Sequence, residues 1–224
     1  MIVTIDGPSG TGKSTVAKRL ADRLGYTYFD TGALYRAIAW KILHDKISVT
    51  DVAKIEKMLQ TFSFHVETQN NQKVYCVDDH DVTKEIRSQE VTAIVSEISA
   101  MKCVRDAMRP IQKIFSQEGP TVFEGRDLGT VIFPHAEVKF FLTAAPEVRA
   151  KRRLRDLQHK FPDRADLFTL EDVLQKIRDR DTYDSSRELA PLKQAEDAIL
   201  VDTSDLSIDE VVTTLEKYIK EKVT

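Results

Sequence analysis

Cysteine is scarce in this 224-residue chain, which has only Cys76 and Cys103, far apart and in no Cys-x-x-Cys pair. Each reads as a buried reduced thiol, in keeping with a reducing compartment. The five histidines show no ligand spacing, so no zinc site is expected. No apolar run approaches the roughly 20 residues that a membrane span needs. The chain opens directly on a strand-like run, with no basic region leading into an apolar one, so a cytoplasmic location is the default expectation. Neither sign of charge dominates: 33 Lys+Arg against 36 Asp+Glu leave a net charge of -3 and a pI near 6.0. That balance argues against broad nucleic-acid or membrane binding and leaves any electropositive site to a few placed arginines. With a polar surface it also suggests a monomer. Repeats and low-complexity segments are missing as well.

What is present is ordinary globular material, 42% hydrophobic and 31% charged. The length suits one well-buried core and is short for two comfortable domains, so residues 1–224 are expected to form a single domain. Short continuous apolar runs at 2–5, 26–29, 121–123, 138–142 and 198–201 suit parallel strands buried on both faces. Helical patterns lie between them. Val16, Leu20 and Leu24 recur at i, i+4 and i+8, and Ile208, Val211, Val212, Leu215 and Ile219 line a last helix opened by the capping box Ser207/Glu210. The expected fold is α/β, a parallel sheet layered by helices. Two stretches depart from the alternation. Residues 62–79 carry period-2 segments around a polar "TQNNQ" turn and read as an inserted hairpin, within a subdomain of about 31–110. Residues 149–160, "RAKRRLRDLQHK", form a basic helix leading into "FPDRAD". This is either a solvated helix face or part of a lid, about 149–170, that brings arginines over phosphates.

"GPSGTGKST", residues 7–15, follows the first strand. Gly7, Pro8, Ser9, Gly10, Thr11, Gly12, Lys13 and Ser14 match G-x-x-x-x-G-K-[ST] at every fixed position, and Thr15 follows. Glycines let backbone N–H groups converge on phosphate oxygens, and the helix start adds partial positive charge. Lys13 suits the β- and γ-phosphates, and the Ser14 hydroxyl suits Mg²⁺. A chance match in a chain this size is on the order of one in a hundred or less. ATP or GTP is the expected ligand. A P-loop alone does not separate motors, switches and kinases. An Asn-Lys-x-Asp guanine reader is absent, as are His-Arg-Asp and Asp-Phe-Gly.

Residues for a second anion are present. Val173, Ile177, Arg180, Asp184 and Arg187 fall on one helical stripe that begins apolar and turns charged without changing face. A chain of surface ion pairs, each worth about a few tenths of a kcal/mol, is the plain alternative. A helix whose second half lines a polar cavity fits better. In "VFEGRDLGT" (122–130), Glu124, Arg126 and Asp127 directly follow a buried strand, where ligands of open α/β sheets gather. "DTGALYR" (30–36) also follows a strand. Thr31 either caps the next helix or meets a phosphate, with Arg36 one turn along. Spacing alone leaves Arg105 an ordinary surface arginine or a ligand.

"IDGPSGTGKST", "DTGALYR", "VTKEIRSQEV", "EGRDLGTVIFP" and "RDRDTYDSSRELAPL" occur in this order, and over essentially its whole length the chain resembles the bacterial cytidylate kinase family. The resemblance implies a three-layer P-loop kinase fold with a parallel core, a small antiparallel insertion in the acceptor-binding part and a short lid. It implies transfer of phosphate from ATP, with Mg²⁺, to CMP or dCMP. By the family's pattern Thr31, Arg36 and Arg126 hold the acceptor's phosphate. Ser96, Arg105, Asp127 and Arg187 read the cytosine, and Arg180 with Asp184 holds the sugar. Lys13, Arg126 and a lid arginine, Arg152 or Arg153, are the expected charge-stabilising residues, and Glu124 is expected to reach Mg²⁺ through water. The chain departs from the pattern at Lys102, where many relatives have proline, and at Glu124, where aspartate is common. A kinase for another acceptor such as UMP or shikimate, and an ATP- or GTP-driven switch, are the alternatives, and the inward-facing arginines favour a kinase.

Overall fold

The computed structural model describes residues 1–69 and 72–223. In chain order they form β1 (Ile2–Asp6), α1 (Lys13–Leu24), β2 (Thr27–Asp30), α2 (Thr31–His44) and α3 (Val52–Leu59). Next come β3 (Phe64–Gln69), β4 (Gln72–Val77), β5 (His80–Asp81), α4 (Gln89–Ala100) and α5 (Lys102–Phe115). The chain ends with β6 (Thr121–Glu124), β7 (Val138–Thr143), α6 (Pro146–Lys160), α7 (Leu170–Ser186), β8 (Ile199–Asp202) and α8 (Ile208–Val223). They divide into two compact units, one of Met1–Phe29 with Phe115–Thr224 and one of Asp30–Ile114. No helix among the described residues is long and apolar enough to cross a membrane.

The first unit is built on a five-stranded sheet in the order β2-β6-β1-β7-β8. β1 runs parallel to β6 and β7, and β7 parallel to β8. The apolar runs foretold these strands to within a residue or two, because a strand covered on both faces needs no polar alternation. Val3 and Ile5 of β1, Phe140 and Leu142 of β7, and Val16 and Leu20 of α1 share one core with Val211, Val212, Leu215 and Ile219 of α8. Ser207 and Glu210 close their capping box, with Ser207 Oγ accepting from the Glu210 N–H at 3.3 Å and Glu210 Oε2 accepting from the Ser207 N–H at 2.8 Å. Register sets the chemistry: Ile5 pairs with Glu124, and Asp6 follows one residue on, so two carboxylates emerge at the same carboxyl edge. A separate contact of Ala150, Val173 and Ile177 joins α6 to α7.

The second unit contains an antiparallel sheet, β3-β4-β5, one face of which packs Tyr75 and Val77 with Ala33 and Ala37 of α2. The inserted hairpin is therefore present as part of a three-stranded sheet. Asn70 and Asn71 of its expected turn lie outside the described residues. Asp30, not Thr31, caps α2: its Oδ1 accepts from the Ala33 N–H at 3.0 Å. Despite Lys102 in place of proline, α5 begins at that residue and the Arg105 N–H reaches the Met101 carbonyl.

Leu215 is fully buried, so Leu215→Ala is expected to lower unfolding free energy by about 2–5 kcal/mol. Ser207→Ala, which removes only a cap, is expected to cost about 1 kcal/mol. Urea titration of both variants checks the ranking.

Candidate active site

The β1–α1 turn can form only with glycine. Gly7 sits at φ +145°, and a Cβ there would meet the Leu142 carbonyl oxygen at 2.0 Å. Gly12, at φ +87°, is the left-handed residue from which α1 springs. Lys13 bends back over the loop and is buried, its Nζ donating to the Pro8 carbonyl at 2.6 Å and to Thr11 Oγ1 at 3.4 Å. Arg149 braces the loop from behind. Its guanidinium donates to the Ser9 and Ala144 carbonyls and pairs with Asp181 of α7 at 2.6 Å.

The carboxylates at the strand ends have separate tasks. Glu124 is buried and accepts from Ser14 Oγ at 2.6 Å on one oxygen and from the Tyr28 hydroxyl at 2.8 Å on the other. This pair of hard oxygen donors suits Mg²⁺. Asp6 receives the backbone N–H groups of Leu128 and Gly129 at 3.0 and 2.8 Å, which pins the segment following Arg126 and Asp127. Burial pushes the Asp6 carboxyl from 3.8 up to about 7, against the lowering effect of those two donors.

Positive charge converges beside them. Arg126 Nε lies 3.5 Å and Arg180 Nε 3.8 Å from Asp184 Oδ2, which is itself buried. Neither Nε has a hydrogen-bond partner among the described residues. Arg187 stands 3.8 Å from Asp127 and donates its Nε to the Ala190 carbonyl. Burial, followed by the charge of Arg126, holds Lys13 well below the usual lysine range. The same two causes, in the same order, bring Arg180 down to about 10. A half-enclosed site crowded with like charges, its guanidinium N–H groups incompletely used, has the chemistry that suits an anion. The charged half of the 173–187 stripe therefore continues the face that buries Val173 and Ile177.

The two basic-helix arginines diverge. Arg152 donates to Thr203 Oγ1 and to the Thr203 and Ser204 carbonyls, whereas Arg153 is exposed and its charge presses on Arg180. In the second unit Thr31 is buried as the first residue of α2. Arg36 donates to the Ile86 carbonyl at 3.2 Å and to Thr92 Oγ1 at 2.9 Å. Arg105 is buried, donates to the Ser99 carbonyl at 3.0 Å and lies over the Tyr35 ring at 5.7 Å. Ser96 is half-buried on α4.

A family model described as cytidylate kinase matches residues 3–221. The chain belongs to the cytidylate kinase family. It is 50% identical over 218 residues to a cytidylate kinase of Protochlamydia amoebophila, covering 97% of this chain and 96% of that one. It is 43% identical to a cytidylate kinase of Halalkalibacterium halodurans over 100% of this chain and 99% of the relative. A bifunctional pantoate ligase/cytidylate kinase of Prochlorococcus marinus is 46% identical over 94% of this chain, which spans 41% of that longer protein.

Three residues of this cytidylate kinase family member escape a motif search. Arg149 opens the basic run, but only the fold shows that it turns inward rather than along the exposed face. Tyr28 lies in an apolar strand, and nothing local marks its hydroxyl as a partner of Glu124. Asp6 reads as the last residue before the glycine turn.

Two outcomes are expected. Tyr28→Phe releases one oxygen of Glu124 and should raise the Mg²⁺ concentration for half-maximal Mg·ATP binding about threefold to tenfold, as one lost hydrogen bond implies. Isothermal titration at varied Mg²⁺ checks it. Because the folded pKa of Asp6 exceeds the unfolded value, its contribution to stability is fully present below about pH 4 and is lost as pH rises towards 7. Asp6→Asn should flatten that part of the stability–pH curve, measured by urea unfolding between pH 4 and about 7.

Proposed function

We propose that the protein transfers the γ-phosphoryl group of ATP to the phosphate of CMP or dCMP, giving ADP and CDP or dCDP. The observation that carries this reading is the convergence of Lys13, Arg126 and Arg180 at one sheet edge, with two guanidinium Nε atoms that face Asp184 but make no hydrogen bond among the described residues. Membership of the cytidylate kinase family supports the acceptor.

An oxygen of the acceptor's phosphate attacks the γ-phosphorus while the bond to the β-phosphate oxygen breaks, so no covalent enzyme intermediate and no protein base are needed. The backbone of residues 7–15 holds the donor's phosphates, and Lys13, on leaving the Pro8 carbonyl, spans the β- and γ-phosphates. Ser14 and, through water, Glu124 would hold Mg²⁺, which would supply charge neutralisation at those phosphates. Arg126, Arg180 and Arg187 hold the acceptor, with Asp184 on its sugar and Asp127 beside Arg187 on its base. Thr31 and Arg36 are assigned to the acceptor's phosphate, and Ser96 and Arg105 to its base. Arg153 stabilises charge in transit, and Arg152 shares that task only by giving up Thr203 and Ser204. The reading also includes a lid over about 149–170, an acceptor-binding part over about 31–110, and a cytoplasmic monomer that binds neither nucleic acid nor membrane.

ADP production from Mg·ATP with CMP, dCMP, UMP, AMP, GMP and shikimate offered separately tests the reading. Fast turnover is expected with CMP and dCMP, and near-idleness without an acceptor. Steady hydrolysis indifferent to all six would overturn it in favour of a switch. Arg36→Lys, Arg126→Lys and Arg187→Lys keep the charge but lose the planar fork, and each is expected to lower kcat/KM for CMP by about tenfold to a hundredfold.

A further inference from the structure

The three-stranded sheet has a second, outward face. His65 of β3 pairs directly with Cys76 of β4, and Cys76 pairs on its other side with Asp81 of β5. Register partners share a face, and so does Glu67, two residues beyond His65. The apolar positions Phe64, Val66, Tyr75 and Val77 alternate with these and pack on α2 and its neighbours. Linear spacing hides the set, because the antiparallel ladder joins residues from two strands.

Three kinds of metal-ligating side chain come together on this face. One ligating atom from each of His65, Glu67 and Cys76 lies within 4.8 Å of the other two. His65 Nε2 and Glu67 Oε1 are 3.4 Å apart. In a tetrahedral zinc site, bonds of about 2.0–2.3 Å put neighbouring ligand atoms about 3.3–3.8 Å from each other. The His65–Glu67 edge already has that length, and the others close with about 1 Å of side-chain movement. The far oxygen of Glu67 accepts from Gln69 Nε2 at 2.9 Å, an outer contact that orients the carboxylate. Imidazole, thiolate and carboxylate together favour borderline transition ions over Mg²⁺ or Ca²⁺. We propose that His65, Glu67 and Cys76 bind one divalent transition ion of the Zn²⁺ class, with its fourth position open to solvent, cross-linking β3 to β4. The proposal is independent of the phosphoryl-transfer reading, which uses none of these residues.

Co²⁺ titration of the metal-stripped full chain, with Zn²⁺ as competitor, tests it. One equivalent of Co²⁺ should give a near-ultraviolet thiolate-to-cobalt band that Zn²⁺ abolishes, and Zn²⁺ should raise the melting temperature. Cys76→Ser should lose the band, Cys103→Ser should keep it, and His65→Ala should weaken Co²⁺ binding by about tenfold or more. Absence of the band in the wild-type chain, or its survival in Cys76→Ser, would overturn the proposal, and the wild-type result stands even if a variant fails to fold.

Discussion

Crowded, incompletely offset positive charge at one sheet edge is the constraint on which the candidate active site depends. Lys13 is enclosed and Arg126 and Arg180 are only partly exposed, so their mutual repulsion is incompletely screened, and Asp184 and Glu124 offset it only in part. Such an arrangement persists only because the surrounding structure holds it. Glycines that admit no side chain shape the loop, Asp6 pins the segment after Arg126, and the buried half of α7 anchors its charged half. The stability of the sheet is spent here on holding groups that an anion would satisfy.

The sheet's register explains why so few residues suffice. Parallel strands put their carboxyl ends on one edge, and pairing Ile5 with Glu124 brings the acidic end of β6 beside the start of the phosphate loop. Ser14 then reaches Glu124 although 110 positions separate them. A slip of one residue between β1 and β6 would turn Glu124 to the opposite face and break the contact.

Most of the core was legible from the sequence because fully covered strands and amphipathic helices write their burial directly into residue order. Val16 and Leu20, the α8 face and the capping box at Ser207 are all local signals. The phosphate loop was legible for the same reason, since its glycines serve backbone geometry within nine residues. The charged stripe of α7 could be seen, but its partners could not: Asp184 faces Arg126 from another element, and no spacing rule links them. Arg149, Tyr28 and Asp6 were hidden more completely. Each acts through a contact with a distant backbone or side chain, and in isolation each looks like a helix arginine, a strand tyrosine or a turn aspartate. Thr31 shows the opposite limit, since the neighbouring Asp30 takes the capping role that local preference allows to both.

The bracing of Arg149 ties the start of α6 to the phosphate loop and to α7 at once. Bound at once to Ser9 and Asp181, that residue belongs mechanically to the phosphate loop. At about 1.5 Å per residue, Arg153 lies about 6 Å further along the helix and Lys160 about 16 Å. Arg152 is tied in turn to Thr203 and Ser204. Arg153 therefore projects from a turn of α6 that is anchored on both sides of its base, while the helix continues well past it.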